Sequence, residues 1–153
     1  MQTVFINQQW LDANDATVSV FDRGLLFGDS IYEVISVYHR KPFAAGEHFT
    51  RLQHSLSAIG LDNPYTTAEW FDLINEFITR SEETSFSIYI QITRGAYHPR
   101  GHAIPDDITP TVILFAQPVR PLDVEAIQGK KAITVDNLRW QRCEIKATTL
   151  LPN

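Results

Sequence analysis

Four short stretches carry the side chains able to do chemistry. Lys146 lies in RWQRCEIKATTLLPN (139–153), between apolar residues and downstream of Arg139 and Arg142. Neighbouring cations and burial both favour a neutral amine over the ammonium, against a reference pKa of about 10.4. A neutral amine is what Schiff-base formation with an aldehyde requires; a solvated lysine is the commoner case for such a residue. Arg51, in GEHFTRL (46–52), has His48 at i−3 and Ser55 at i+4 on its helical face. A guanidinium matches phosphate oxygens bidentately; here too an exposed arginine is the alternative. Arg100 and His102 follow closely in RGAYHPRGH (94–102), beside a glycine that permits tight loop geometry. Together they would trap a carboxylate through charge-assisted bonds, or else belong to an exposed polar loop. Tyr32, in DRGLLFGDSIYE (22–33), begins a strand and can present a hydroxyl to a pocket. In the same stretch Asp22, Gly24, Gly28 and Asp29 bring turn chemistry to both sides of Leu25-Leu26-Phe27, which also fits plain loop-to-strand packing.

The elements that must position these groups follow from periodicity. Residues 2–6 and 8–11 flank Asn7 as a hairpin, and the alternation of 17–21 (TVSVF) predicts a strand. Residues 31–38 form a longer, more apolar strand, ended or edged by Pro42. Phe49, Leu52, Leu56 and Ile59 form one helical stripe over 46–60, with Gly60 at the C′ position. Thr66 and Glu69 have capping-box spacing, and Trp70, Leu73, Ile74, Phe77 and Ile78 give the second helix, 67–80, its apolar face. In 85–93, Phe86, Ile88, Ile90 and Ile92 alternate with Ser87, Tyr89 and Gln91, as in a half-buried strand. A long irregular loop spans 94–110, of the kind that often carries function. Residues 111–116 read as a buried strand, 118–129 as a linker and 131–135 as the start of another strand.

The bulk properties exclude several classes. The net charge of −5 argues against a nucleic-acid binder. The single cysteine, Cys143, rules out an intrachain disulfide and fits a reducing compartment. No apolar run approaches the roughly 20 residues a membrane helix takes, and no basic-plus-apolar leader opens the chain, so the expectation is a cytoplasmic protein with no membrane or nucleic-acid partner. There is no CxxC, HExxH, Walker or dinucleotide glycine pattern, the histidines lack metal-site spacing, and no metal is expected.

Taken in order, DRGLLFGD…YE, EHFTRL, RGxxxPRGH and RWQRCEIK resemble class IV (fold type IV) pyridoxal-phosphate aminotransferases; the last two motifs are most similar to D-amino-acid aminotransferases. The resemblance implies an α+β fold: a mixed or antiparallel sheet with two helices over 1–120, a linker over 121–130, and the first strand of a truncated, cofactor-binding C-terminal domain over 131–153. It implies pyridoxal 5′-phosphate as cofactor, with Lys146 as the Schiff-base lysine that also shuttles the proton at Cα. Arg51 would contact the phosphate, and Arg139 would lie near the cofactor. Tyr32, Arg100 and His102 would bind the substrate carboxylate. The trap loop of such enzymes comes from the neighbouring subunit, which implies a homodimer. Glu144 stands where the family often has Asp. The reaction expected is transamination of D-alanine-like substrates with a 2-oxo acid. The alternatives are 4-amino-4-deoxychorismate lyase and, third, branched-chain aminotransferase; a non-catalytic dimerisation module or truncated remnant is a reading of another class. The family's C-terminal half supplies the acidic partner of the pyridinium nitrogen and most of the phosphate cradle, so the 153-residue chain alone is expected to be inactive.

Overall fold

The computed structural model describes residues 3–119, 129 and 131–151. Nine elements follow in chain order: β1 (Thr3–Ile6), β2 (Gln9–Asp12), α1 (Arg23–Phe27), β3 (Ser30–Tyr38), β4 (Lys41–Pro42), α2 (Ala45–Ala58), α3 (Thr67–Arg80), β5 (Phe86–Thr93) and β6 (Thr111–Pro118). The strands form one antiparallel sheet in the order β2-β1-β6-β5-β3-β4. The α+β expectation holds, with the sheet wholly antiparallel.

The alternation read from the sequence decides the two faces. Ile31, Ile35 and Val37 of β3, Ile88, Ile90 and Ile92 of β5 and Leu114 of β6 point to one side and are buried there with Leu52 and Leu56 of α2 and Trp70, Ile74 and Phe77 of α3. Each such side chain contributes roughly 1.5–3 kcal/mol when fully buried. The opposite face carries Tyr32, Tyr89 and Phe115, half-buried and stacked across three strands at centroid separations of 5.6 and 4.7 Å. The helix boundaries have local causes. Thr66 and Glu69 close a reciprocal capping box at the start of α3 (2.7 and 3.3 Å). α2 ends where Gly60 takes φ +61°. Pro42 lies on the short edge strand β4, where the missing N–H costs no ladder bond.

Three expectations are corrected. Residues 17–21 form no strand: Val18, Val20 and Phe21 are exposed, and their alternation has no neighbouring strand to pair with. Residues 131–135 are not a strand either; Ile133 is 89% and Val135 76% exposed, and β-branched composition cannot hold a strand without a ladder partner. DRGLLFG, read as turns, contains the short helix α1 as a third helix. Asp22 caps it by accepting from the Gly24 N–H (2.7 Å), and Gly28 ends it at φ +65°. Most of the predicted linker, 120–128 and 130, lies outside the described residues. Among the described residues, no helix is long and apolar enough to cross a membrane.

Candidate active site

Lys146 reaches its place through the edge of β3. β4 pairs only with Val37 and Tyr38 at the far end of that strand, so the first half of its outer edge is open to another segment. Residues 145–148 take it. Tyr32 donates its N–H to the Lys146 carbonyl (2.9 Å), Thr148 donates to the Ser30 carbonyl (3.1 Å), and Ile31 and Ala147 form an antiparallel bridge. The Ser55 hydroxyl of α2 accepts the Lys146 N–H (3.1 Å), and the Ser30 and Thr148 hydroxyls are hydrogen-bonded. Alternation then sorts the side chains. Ile145, 6% exposed, and Ala147 pack into the core. Lys146 turns to the Tyr32 face, where its Nζ stands 3.9 Å from the tyrosine ring centroid, a cation–π distance. Tyr32, Arg139, Cys143 and Lys146 line one cleft of about 220 Å³. Arg139 is anchored within its own segment, its Nε donating to the Asn137 side chain (2.9 Å).

Arg51, on α2, meets β3 at Glu33, the residue after Tyr32, and lies near enough to Tyr32 to feel its charge. Its Nε and Nη2 form a fork on Glu33 (2.5 and 2.7 Å), and His48 Nδ1 meets the same carboxylate at 2.8 Å. The Glu33 side chain is 1% exposed, that of Arg51 49%. Burial pushes the Glu33 carboxyl up, but the hydrogen bonds and charges of Arg51 and His48 more than reverse this and hold it below the usual carboxylate range. Glu33 raises Arg51 in turn. The sequence reading passed over Glu33, although a signal was present: the carboxylate lies in phase with Ile31, Ile35 and Val37, and a charge on the apolar face needs a cation beside it.

Arg100 and His102 come together on a third feature. The Phe27 ring of α1 lies 4.6 Å from the Arg100 guanidinium carbon and 5.5 Å from the His102 ring. Both residues are exposed, and neither lines the Lys146 cleft. Buried ion pairs support their loop from beneath. Asp29 receives Arg23 (2.9 Å) and Arg94 (2.8 Å), and Arg94 also holds the carbonyls of Ile59 and Gly60 at the end of α2 (2.7 and 3.1 Å). Burial raises the Asp29 carboxyl, but the bonds and charges of Arg94 and Arg23 prevail and lower it. Asp22 accepts from the hydroxyls of Thr93 and Thr111 (2.9 and 2.7 Å), fixing α1 to the ends of β5 and β6. The six residues singled out from the sequence thus fall into three groups: Lys146 with Tyr32 and Arg139, Arg51 by itself on Glu33, and Arg100 with His102.

This donor set fits an aldehyde-bearing, phosphorylated aromatic cofactor. The cleft offers an amine beside an aromatic ring, and outside it Arg51, in a hollow with Ala44, Glu47 and His48, is a half-exposed guanidinium whose orientation is fixed by Glu33.

Residues 30–153 match the family model for amino-transferase class IV. The chain is 43% identical over 155 residues to the D-alanine aminotransferase of Staphylococcus haemolyticus, an alignment covering 100% of this chain and 54% of that protein. The chain spans about half the length of the curated relatives it matches. Among solved structures it is similar to the branched-chain amino acid aminotransferase of Escherichia coli, with a TM-score of 0.71 and 25% identity, covering 77% of this chain and 41% of that one. It is also similar to the 4-amino-4-deoxychorismate lyase of Pseudomonas aeruginosa, with a TM-score of 0.62 and 27% identity, covering 75% and 39%.

Proposed function

Because this chain belongs to the amino-transferase class IV family, we propose that its protein exchanges an amino group between D-alanine-like amino acids and 2-oxo acids, using pyridoxal 5′-phosphate. The carrying observation is Lys146, held by β3 so that its amine lies over Tyr32 in a cleft with Arg139. Lys146 supplies the amine that anchors the cofactor and moves the proton at the substrate Cα. Arg51, oriented by Glu33, bonds the phosphate; Arg139 lies beside the ring; Tyr32, Arg100 and His102 receive the substrate carboxylate. The cofactor itself supplies the electron sink at the carbon that loses its proton. The separation of Arg100 and His102 from the Lys146 cleft within one chain supports a homodimer in which each trap loop serves its neighbour's cleft. We assign residues 1–120 to one domain and 131–153 to the opening of a cofactor-binding one, joined by 121–130, and place the protein in the cytoplasm.

A second reading, pyruvate elimination from 4-amino-4-deoxychorismate, is favoured by the likeness to the lyase structure. The protein should show a visible absorption band with cofactor, and Lys146→Ala should abolish both the band and borohydride-fixed cofactor. D-alanine with 2-oxoglutarate should turn over. Turnover of aminodeoxychorismate alone would establish the lyase instead, and a borohydride-fixed adduct persisting in the Lys146 variant would overturn the lysine assignment.

A further inference from the structure

The role of Arg23 goes beyond these assignments while resting on the carboxylate-trap reading of Arg100 and His102. Arg23 is 7% exposed, a cation buried in the first turn of α1. Its Nε is held by Asp29 at 2.9 Å. The rest of the guanidinium faces the loop: Nη1 donates to the carbonyls of Gly101 (3.0 Å) and Ala103 (3.2 Å), and Nη2 to that of His102 (3.3 Å). Three successive carbonyls therefore converge on one planar cation. The guanidinium carbon also lies 4.8 Å from the centroid of the Phe27 ring that Arg100 and His102 contact.

Residues 97–110 have neither helix nor strand, so no backbone ladder fixes where Arg100 and His102 stand. The neighbouring support acts elsewhere: Arg94 ties the start of the loop to α2, and Gly95 accepts the Arg23 N–H (2.8 Å). We propose that Arg23, aimed by Asp29, is a positioning residue for substrate recognition: by gathering the carbonyls of residues 101–103 it sets where Arg100 and His102 present their donors to the substrate carboxylate. Arg23 does not itself touch substrate; it acts through the loop backbone. Lysine cannot replace it, because one ammonium lacks the planar fork that reaches Asp29 and three carbonyls together. Asp29 keeps Arg94 when Arg23 is changed, so the substitution leaves no buried carboxylate alone.

The test compares Arg23→Lys with Arg100→Ala in the cofactor-loaded protein. Losing a charge-assisted bond to the carboxylate costs about 1.5–3 kcal/mol, roughly 10- to 150-fold in affinity. Both variants should raise KM for D-alanine by roughly that factor, with kcat changed far less, and weaken competition by propionate, a carboxylate without an amine. Backbone order parameters at 100–103, from amide NMR relaxation, should fall in Arg23→Lys, while those of β3 and β5 stay as in the parent protein; a merely structural loss would loosen the strands too. If Arg100→Ala leaves KM and propionate affinity unchanged, the trap reading fails and the role of Arg23 falls with it. If Arg100→Ala acts and Arg23→Lys does not, the role of Arg23 alone is overturned. Should Arg23→Lys fail to fold, the parent protein decides: high backbone order parameters at 101–103 together with a slowly exchanging Arg23 Nε–H support the proposal, and a mobile backbone there or a freely exchanging Nε–H overturns it.

Discussion

Replacing Arg51 by methionine should destabilise the protein more than replacing its partner Glu33 by glutamine. The asymmetry follows from burial: the Glu33 side chain is 1% exposed and that of Arg51 49%. Arg51→Met leaves a carboxylate inside the sheet–helix core with only His48 beside it, and stranding a buried charge costs about 3–5 kcal/mol. Glu33→Gln removes the charge but keeps an acceptor, and the guanidinium can take water instead; losing a hydrogen bond to a charged group costs about 1.5–3 kcal/mol. In a chain of this size each kcal/mol shifts the melting temperature by roughly 2–4 °C. The expected falls are thus roughly 6–20 °C for Arg51→Met and roughly 3–12 °C for Glu33→Gln. Thermal unfolding followed by circular dichroism, with urea midpoints as a check, measures both. The double variant should lose clearly less than the sum, because contacting charges couple by about 0.5–3 kcal/mol. A larger loss for Glu33→Gln than for Arg51→Met, or strict additivity, would refute the picture of a buried carboxylate held by an outer cation.

Acid should unfold the protein partly through Glu33 and Asp29. Both are lowered from ordinary values of 4.5 and 3.8, so their contribution is complete above those values and lost as pH falls through the lower folded-state ones; unfolding free energy measured from pH 6 down to pH 2 should drop over that range, and Glu33→Gln should flatten the fall. Gly28→Ala should cost about 1–2 kcal/mol for left-handed backbone and also release the lysine segment, since a Cβ there collides with the Thr149 side chain. Amide exchange at Thr148 should speed up in that variant, but not in Gly60→Ala, where φ is +61° and the space is open.

The sheet and both long helices were legible because their patterns are local. Phe86, Ile88, Ile90 and Ile92 alternate without a break, and Thr66 with Glu69 marks a helix start on spacing alone. The two strands expected at 17–21 and 131–135 show the limit of that reading: alternation states a preference, while a strand exists only where an edge is free to receive it. The one open edge that matters, the first half of β3, is filled by 145–148. That pairing spans more than a hundred residues of sequence, and no periodicity announces it. The site was legible as residue types in order, but its wiring was not. Glu33 was hidden among isoleucines, and Arg23 sat in a motif whose glycines drew the eye to turns.

The strip that carries Lys146 makes the amine's placement a matter of parity. Along 145–148, odd residues enter the core while Lys146 meets Tyr32 and Thr148 meets Ser30 on the other face, so a one-residue slip would not shift the amine slightly; it would send it inside and turn Ile145 out. The core selects between two discrete outcomes, and burial of Ile145 at 6% exposure weighs on the side that keeps the amine outward. Upstream, residues 131–140 are exposed throughout. Length changes there leave the parity of 145–148 untouched, whereas one inserted residue between Ile145 and Lys146 inverts it. The tether ahead of Asn137 and the cleft-lining Arg139 can vary in length, whereas the four-residue strip cannot.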